Sequence, residues 1–317
     1  MIKKKRVLVK IGTNLVTKGG KLNHDYIKRV AETLARVSED HDVVLWSSGA
    51  VAAGRERLSK SNVENESIAR KRMLASVGQP HLINAYEKAL QKKRIELQQI
   101  LITGRDLRKG TSRKILRETV DEALNGNERI IPIGNVNDPF TNEEFSHYEL
   151  RALLPAIKNA WEKAKKTKRR KTKTFFKNTL KSMKVFPDND KAITRVTKPL
   201  GIDHTIILTD VEGLMTAPPE EGGKLIENAP YSFFGVRDKT GKKIKVKLKG
   251  AKKGGLGGMY EKYLAAKRIS RGTLFRGRGS GTVTIANGTN PEIIPEILSG
   301  KARGTRFNAR KKRKRNI

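Results

Sequence analysis

The chain has 317 residues, 68 of them Lys or Arg against 32 Asp or Glu, a formal charge of +36; this length buries a sizeable core in one or two domains, and this charge attracts polyanions. It has no cysteine, which excludes disulfides, thiolate zinc sites and cysteine nucleophiles, and its five histidines lack close i, i+4 pairing, so no metal site is expected. No apolar run is long enough to span a bilayer, and Lys3 to Arg6 lead into a strand without a signal-like cleavage region, so the expected location is the cytoplasm.

In chain order, Arg6-Val-Leu-Val-Lys-Ile-Gly-Thr13 reads as a buried strand ending at a glycine turn, and Tyr26 to Val37 carries apolar residues at helical spacing. Asp42-Val-Val-Leu-Trp46 is a second strand running into Ser47-Ser-Gly-Ala-Val-Ala-Ala-Gly54, a turn into a helix. Gln98 to Thr103 and Arg129 to Ile133 are further strands, as are Thr205 to Thr209 and Gly281 to Ala286, and Pro291 to Leu298 is a short closing helix. Strands alternating with helices predict an α/β fold, with a mainly parallel sheet covered on both faces. Between 148 and 187 the pattern changes: Ala156 to Lys166 suits a helix, but Lys163 to Lys184 is dominated by lysine and reads as an inserted, exposed element. Residues 310–317 form a basic tail, expected to be disordered.

Several strand ends carry groups suited to polyanions. Lys10-Ile-Gly-Thr13 puts a lysine and a glycine where open α/β sheets bind ligands; a lysine ending a strand is also commonplace. Ser47-Ser48-Gly49-Ala50 offers a hydroxyl and free N–H groups to an anion, or is a plain turn with an N-capping serine. Asn135-Val-Asn137-Asp138 gathers amides and a carboxylate that suit an ammonium group, or an Asx turn, and Asp188-Asn189-Asp190 reads in the same two ways. Thr209-Asp210-Val-Glu-Gly213 follows a strand, and Gly254-Gly-Leu-Gly-Gly-Met-Tyr-Glu-Lys262 is a glycine-rich turn entering a helix that carries a lysine. That arrangement suits a backbone wrapping phosphates with an ammonium reaching the transferred group, against a flexible linker as the alternative. There is no G-x-x-x-x-G-K-[ST] motif, so a P-loop is not indicated.

Taken in order, Val9-Lys-Ile-Gly-Thr13, Ser47 to Arg55, Ala75-Ser-Val-Gly-Gln79, Pro132 to Asp138, Asp188-Asn-Asp190, Leu208 to Leu214 and Gly257 to Lys262 resemble the glutamate 5-kinase branch of the amino acid kinase family. The Ser-Gly-Ala-x-Ala-Ala-Gly-Arg stretch and Ala-x-Val-Gly-Gln separate this branch from the family's carbamate and nucleotide kinases. The resemblance implies a three-layer αβα sandwich over residues 1–309, interrupted by the basic insertion at about 148–187. It also implies ATP- and Mg²⁺-dependent phosphorylation of the side-chain carboxylate of L-glutamate to glutamyl 5-phosphate, the first step of proline biosynthesis. Under it, Ser48, Asp138 and Asn189 bind the amino acid, Lys10 and Lys262 flank the transferred phosphoryl, and Asp190 orients them. Thr209 and Asp210, with Leu256, Gly257, Gly258, Met259, Tyr260, Glu261 and Lys262, hold ATP. A homo-oligomer is also implied.

The chain departs from the family pattern in places. Val136 replaces a glutamate, Gly134 replaces a larger apolar residue, Pro199 falls in a segment expected to be helical, and Arg271 to Gly281 is a second insertion. The RNA-binding-like PUA domain of some relatives is expected to be absent. The charge supports two other readings beside or instead of the first: a nucleic-acid-associated protein on a kinase-derived scaffold, with non-specific polyanion contact through insert and tail, or a family kinase with another small acceptor.

Overall fold

Residues of Lys5–Ile11 (β1) point alternately to the two faces of a sheet, and both sets are apolar: Val7, Val9 and Ile11 pack on one side and Leu8 on the other, each with no exposed surface. A strand buried on both faces belongs inside a parallel sheet, and β1 takes the middle position. The computed structural model describes residues 4–58, 66–103, 106–108, 110–137, 189–216, 222–229, 259–271 and 281–308.

From β1 the chain continues through α1 (Thr13–Val16), β2 (Thr17–Lys18), β3 (Lys21–Leu22), α2 (His24–Asp40), β4 (His41–Ser47), α3 (Ala50–Arg57) and α4 (Ile68–Gln91). Next come β5 (Glu96–Ile102), a 3-10 turn at Asp106–Arg108, α5 (Gly110–Asn125) and β6 (Ile130–Val136). The later part supplies α6 (Asn189–Val196), β7 (His204–Thr209), α7 (Met259–Arg271), β8 (Thr282–Asn287), α8 (Ile293–Leu298) and β9 (Thr305–Phe307). Seven strands form one sheet in the order β5-β6-β4-β1-β7-β8-β9, parallel throughout except where β9 runs against β8.

Leu34 of α2, Leu82 and Tyr86 of α4 and Ile294 of α8 cover the face of Val7 and Val9. Val120 of α5, Ile193 of α6 and Ala266 of α7 cover the face of Leu8. The result is the expected three-layer sandwich. The expected strands and helices outside the 148–187 segment are present with small shifts of their ends, while α1, the 3-10 turn, the β2–β3 hairpin and β9 were not anticipated. The β2–β3 hairpin has two-residue strands and β9 has three residues, too short for any periodicity to register. Pro199 does not interrupt a helix, because α6 has already ended at Val196. Residues 148–187, with the helix expected at 156–166, residues 272–280 of the second insertion and the 310–317 tail lie outside the described residues. Among those described, no helix is long and apolar enough to cross a membrane.

One packing detail positions the ends of the strands. A Cβ on Gly54 of α3 would lie 2.0 Å from the Leu74 carbonyl oxygen, and one on Gly78 of α4 would lie 1.9 Å from that of Ala50. The two helices therefore touch backbone to backbone, which only residues without side chains allow. Much of the Ser-Gly-Ala-x-Ala-Ala-Gly-Arg and Ala-x-Val-Gly-Gln motifs is thus helix packing, and it fixes the loop before α3 against the middle of α4.

Candidate active site

The carboxyl ends of β1, β4, β6 and β7 open on the same edge of the sheet, beside the central strand where the order of connections reverses, as in ligand-binding α/β sheets. On the side of the sheet covered by α6 and α7, three charged side chains meet there. Lys10 Nζ of β1 is 2.5 Å from Asp190 Oδ1, and Lys262 Nζ of α7 is 3.1 Å from Asp190 Oδ2. Asp190 is wholly buried, and Lys10 and Lys262 are 3% and 6% exposed. Burial alone would raise the Asp190 carboxyl pKa, but the ammonium groups of Lys10 and Lys262 outweigh it and hold the group below the usual carboxylate range. Among the described residues, two buried cations thus share one buried anion.

Asn189, the neighbour of Asp190 at the start of α6, anchors a second, uncharged half. Its Oδ1 accepts from Trp46 Nε1 at 3.0 Å, and its Nδ2 donates to Ser48 Oγ at 3.0 Å. Ser48 is therefore not the N-cap of α3, one of the two readings of its motif: Gly49 takes that position with φ of 121° and no side-chain cap, a conformation that favours glycine. Next to it, Ser47 Oγ lies 2.9 Å from the hydroxyl of Tyr86, so the two serines face different partners. On β6, Asn135 Nδ2 donates to Gln79 Oε1 at 2.9 Å. Gln79 Nε2 is buried and finds no acceptor among the described residues.

Trp46 accounts for the glycine at position 134. It pairs in register with Gly134, and a Cβ there would lie 2.2 Å from the indole ring; the glycine supplies the space that the indole fills. Val136 is 5% exposed and lies opposite Ile102 at the end of β6, a position that suits an apolar side chain.

The nucleotide-side residues are only partly gathered. Thr209 ends β7, and its hydroxyl donates to Asp210 Oδ1 at 3.1 Å, while Asn14 Nδ2 donates to Asp210 Oδ2 at 2.8 Å. Burial raises the Asp210 pKa, but these bonds and the charge of Lys262 bring it below the ordinary value. Met259, Glu261 and Lys262 lie in the first turns of α7, as expected of the helix after the glycine-rich turn. Asp138, Leu256, Gly257 and Gly258 lie outside the described residues, as does the side chain of Tyr260. Trp46 and Gln79 were not singled out as site residues from the sequence, since an indole in a strand and an amide in a helix look like ordinary core and surface.

The model of the amino acid kinase family matches residues 5–151. A glutamate 5-kinase of Chromobacterium violaceum is 31% identical over 309 residues, which cover 96% of this chain and 68% of that protein. The delta-1-pyrroline-5-carboxylate synthase B of Arabidopsis thaliana is 32% identical over 316 residues, covering 96% of this chain and 37% of the relative. Among solved structures, the carbamate kinase from Giardia lamblia bound to AMP-PNP superposes with a TM-score of 0.58 at 15% identity, covering 98% of this chain and 100% of that one. An isopentenyl phosphate kinase substrate complex superposes with a TM-score of 0.54 at 13% identity, covering 95% and 99%. At such low identity, these structural matches speak for the fold.

Proposed function

Because the chain belongs to the amino acid kinase family, in its glutamate 5-kinase branch, we propose that the cluster of Lys10, Asp190 and Lys262 is where the γ-phosphoryl of ATP passes to the side-chain carboxylate of L-glutamate. The observation that carries this reading is the buried cation pair sharing one carboxylate. A glutamate side chain, with a pKa near ~4.3, is already an ionised nucleophile at neutral pH, so no general base is needed. The obstacle is the approach of one anion to another. Lys10 and Lys262 offset it where charge accumulates on the transferred oxygens, and Asp190 holds the two ammonium groups in place before substrate arrives.

The acceptor is held by the neutral half. Ser48 and Asn189 supply hydrogen bonds, Asp138 takes the ammonium group, and Gln79 Nε2 is a donor available to a substrate oxygen. Thr209 and Asp210, with the turn from Leu256 to Lys262, take the nucleotide. The residues present fit a Mg²⁺ ion that would arrive with the phosphates: Asp190 is engaged by two ammonium groups and Asp210 by Asn14, so these side chains would face the ion's phosphate partner and not hold it in advance. Its contribution is to neutralise phosphate charge. Self-association, and polyanion contact through the basic segments at 148–187 and 310–317, complete the proposal; light scattering and the salt dependence of RNA binding test them.

The central test measures ADP release from Mg²⁺-ATP with and without L-glutamate, with hydroxylamine present to trap an acyl phosphate as its hydroxamate. Glutamate-dependent hydroxamate is the expected result. ATP binding without any glutamate-dependent turnover would reject the acceptor assignment.

A further inference from the structure

Linear spacing gives no hint of a histidine cluster, yet the fold brings two histidines and a glutamate together on the helical layer facing away from α6 and α7. His24 opens α2, Glu56 lies near the end of α3, and His81 follows Pro80 in the middle of α4. Their ligand atoms all lie within 4.8 Å of one another. We propose that His24, Glu56 and His81 form a binding site for a divalent ion of the zinc class, separate from the phosphoryl-transfer site.

The geometry supports this in four ways. Glu56 Oε1 is 2.7 Å from His24 Nε2 and 3.8 Å from His81 Nε2. Tetrahedral zinc, with bonds of about 2.0–2.2 Å, sets its ligand atoms roughly 3.3 Å apart, so small turns of these side chains admit the ion. The rings stand edge-on, 6.1 Å apart at 74°, which lets one nitrogen of each converge on the same carboxylate oxygen. Glu56 Oε2 accepts from the backbone N–H of Leu22 at 2.9 Å; that bond orients the carboxylate and leaves Oε1 as the ligand, as outer hydrogen bonds do in zinc sites. Finally, His81 Nε2 is buried without a hydrogen-bond partner among the described residues, a costly state for a ring nitrogen that a metal would relieve.

Ligand chemistry selects the ion. Two imidazole nitrogens and one carboxylate oxygen suit zinc and its late transition-metal neighbours, whereas Mg²⁺ and Ca²⁺ prefer all-oxygen sets. The His24 side chain is 52% exposed, so the ion can enter from solvent and keep water in its fourth position. Bound there, it would tie the β2–β3 hairpin and the start of α2 to the α3–α4 pair. That pair carries Ser48 at its entrance and Gln79 only two residues before His81, so occupancy is expected to reach the acceptor end of the active site.

The test uses the full chain, stripped with a chelator and titrated with Co²⁺ and then Zn²⁺ in excess Mg²⁺. We expect one Co²⁺ per chain, with the strong visible absorption of a low-coordinate ion, displaced by Zn²⁺, and a higher unfolding temperature in zinc. His81→Gln, Glu56→Gln and the exposed His24→Gln should each weaken binding by about 10–100-fold. Absence of a stoichiometric Co²⁺ signal in the unaltered chain overturns the site, as does undiminished binding in a folded His24→Gln or His81→Gln chain. Neither result depends on kinase activity, so the outcome stands apart from that of the glutamate assay.

Discussion

The two halves of the proposed active site are built from different forces. On the phosphoryl side, Lys10, Asp190 and Lys262 are buried ions from three separate elements, held by charge. On the acceptor side, Trp46, Asn189 and Ser48 form a run of neutral hydrogen bonds, beside the Asn135–Gln79 pair. Asn189 and Asp190 are adjacent in the chain, so one helix start feeds both halves. The lesson is that the ionic half concentrates charge, while the neutral half is set by the fit of Trp46 against Gly134 and by hydrogen bonds.

Breaking the ionic half should cost most. Asp190→Asn removes the buried anion that both ammonium groups engage; we expect a loss of about 3–5 kcal/mol in stability, read by denaturant titration. Lys10→Ala and Lys262→Ala should each lower kcat by about 10²–10³-fold or more with the fold retained by circular dichroism. Near-normal turnover in both would remove these lysines from the chemistry.

Acid can distinguish the ionic half from the far end of the sheet. Burial first, then the charges of Arg306, Lys5 and His41, lowers the His204 pKa to about 4. An unfolded histidine titrates near ~6.5 and so binds more protons across that window; stability is full above it and falls by up to about 3 kcal/mol as pH drops to 4. His204→Gln should flatten this slope. Asp190 contributes in the same direction but only at lower pH, because its carboxyl is depressed from the usual carboxylate value: its stabilisation is present above that value and is lost as pH falls through the folded pKa. A slope between pH 6.5 and 4 that survives His204→Gln would have to come from elsewhere.

The neutral half should yield a smaller effect. Gly134→Ala drives a methyl group into the Trp46 indole and should cost about 1–3 kcal/mol, with a rise in KM for glutamate as the Trp46–Asn189 bond shifts. Trp46→Val combined with Gly134→Ala should recover much of that loss in stability, giving a strongly non-additive cycle. Additive effects would mean that the two positions do not act together.

Most of the sheet was legible because β1, β4 and β7 carry runs of buried Val, Ile and Leu and β8 alternates Thr with Val and Ile, each bounded by turns, and burial on both faces leaves few alternatives. The hairpin at Thr17 to Leu22 and the edge strand at Thr305 were not, since their few residues owe their conformation to neighbours. Lys10, Asp190 and Lys262 were nominated through a resemblance of ordered motifs; that they touch is a long-range fact no local pattern contains. Ser48 was open to two readings because a serine before a helix is an ordinary cap, and only the fold shows that Gly49 takes the cap position while Ser48 accepts from Asn189. The convergence of His24, Glu56 and His81 is likewise a product of three helices meeting.

The fit of Trp46 against Gly134 also couples what either position can accept. If the glycine acquires a side chain first, the intermediate carries a clash; if the tryptophan shrinks first, it carries a void of order 3–5 kcal/mol in cost and loses the bond to Asn189. Neither single change is easy, so the pair behaves as one unit of packing, and replacing either residue calls for a matching change at the other.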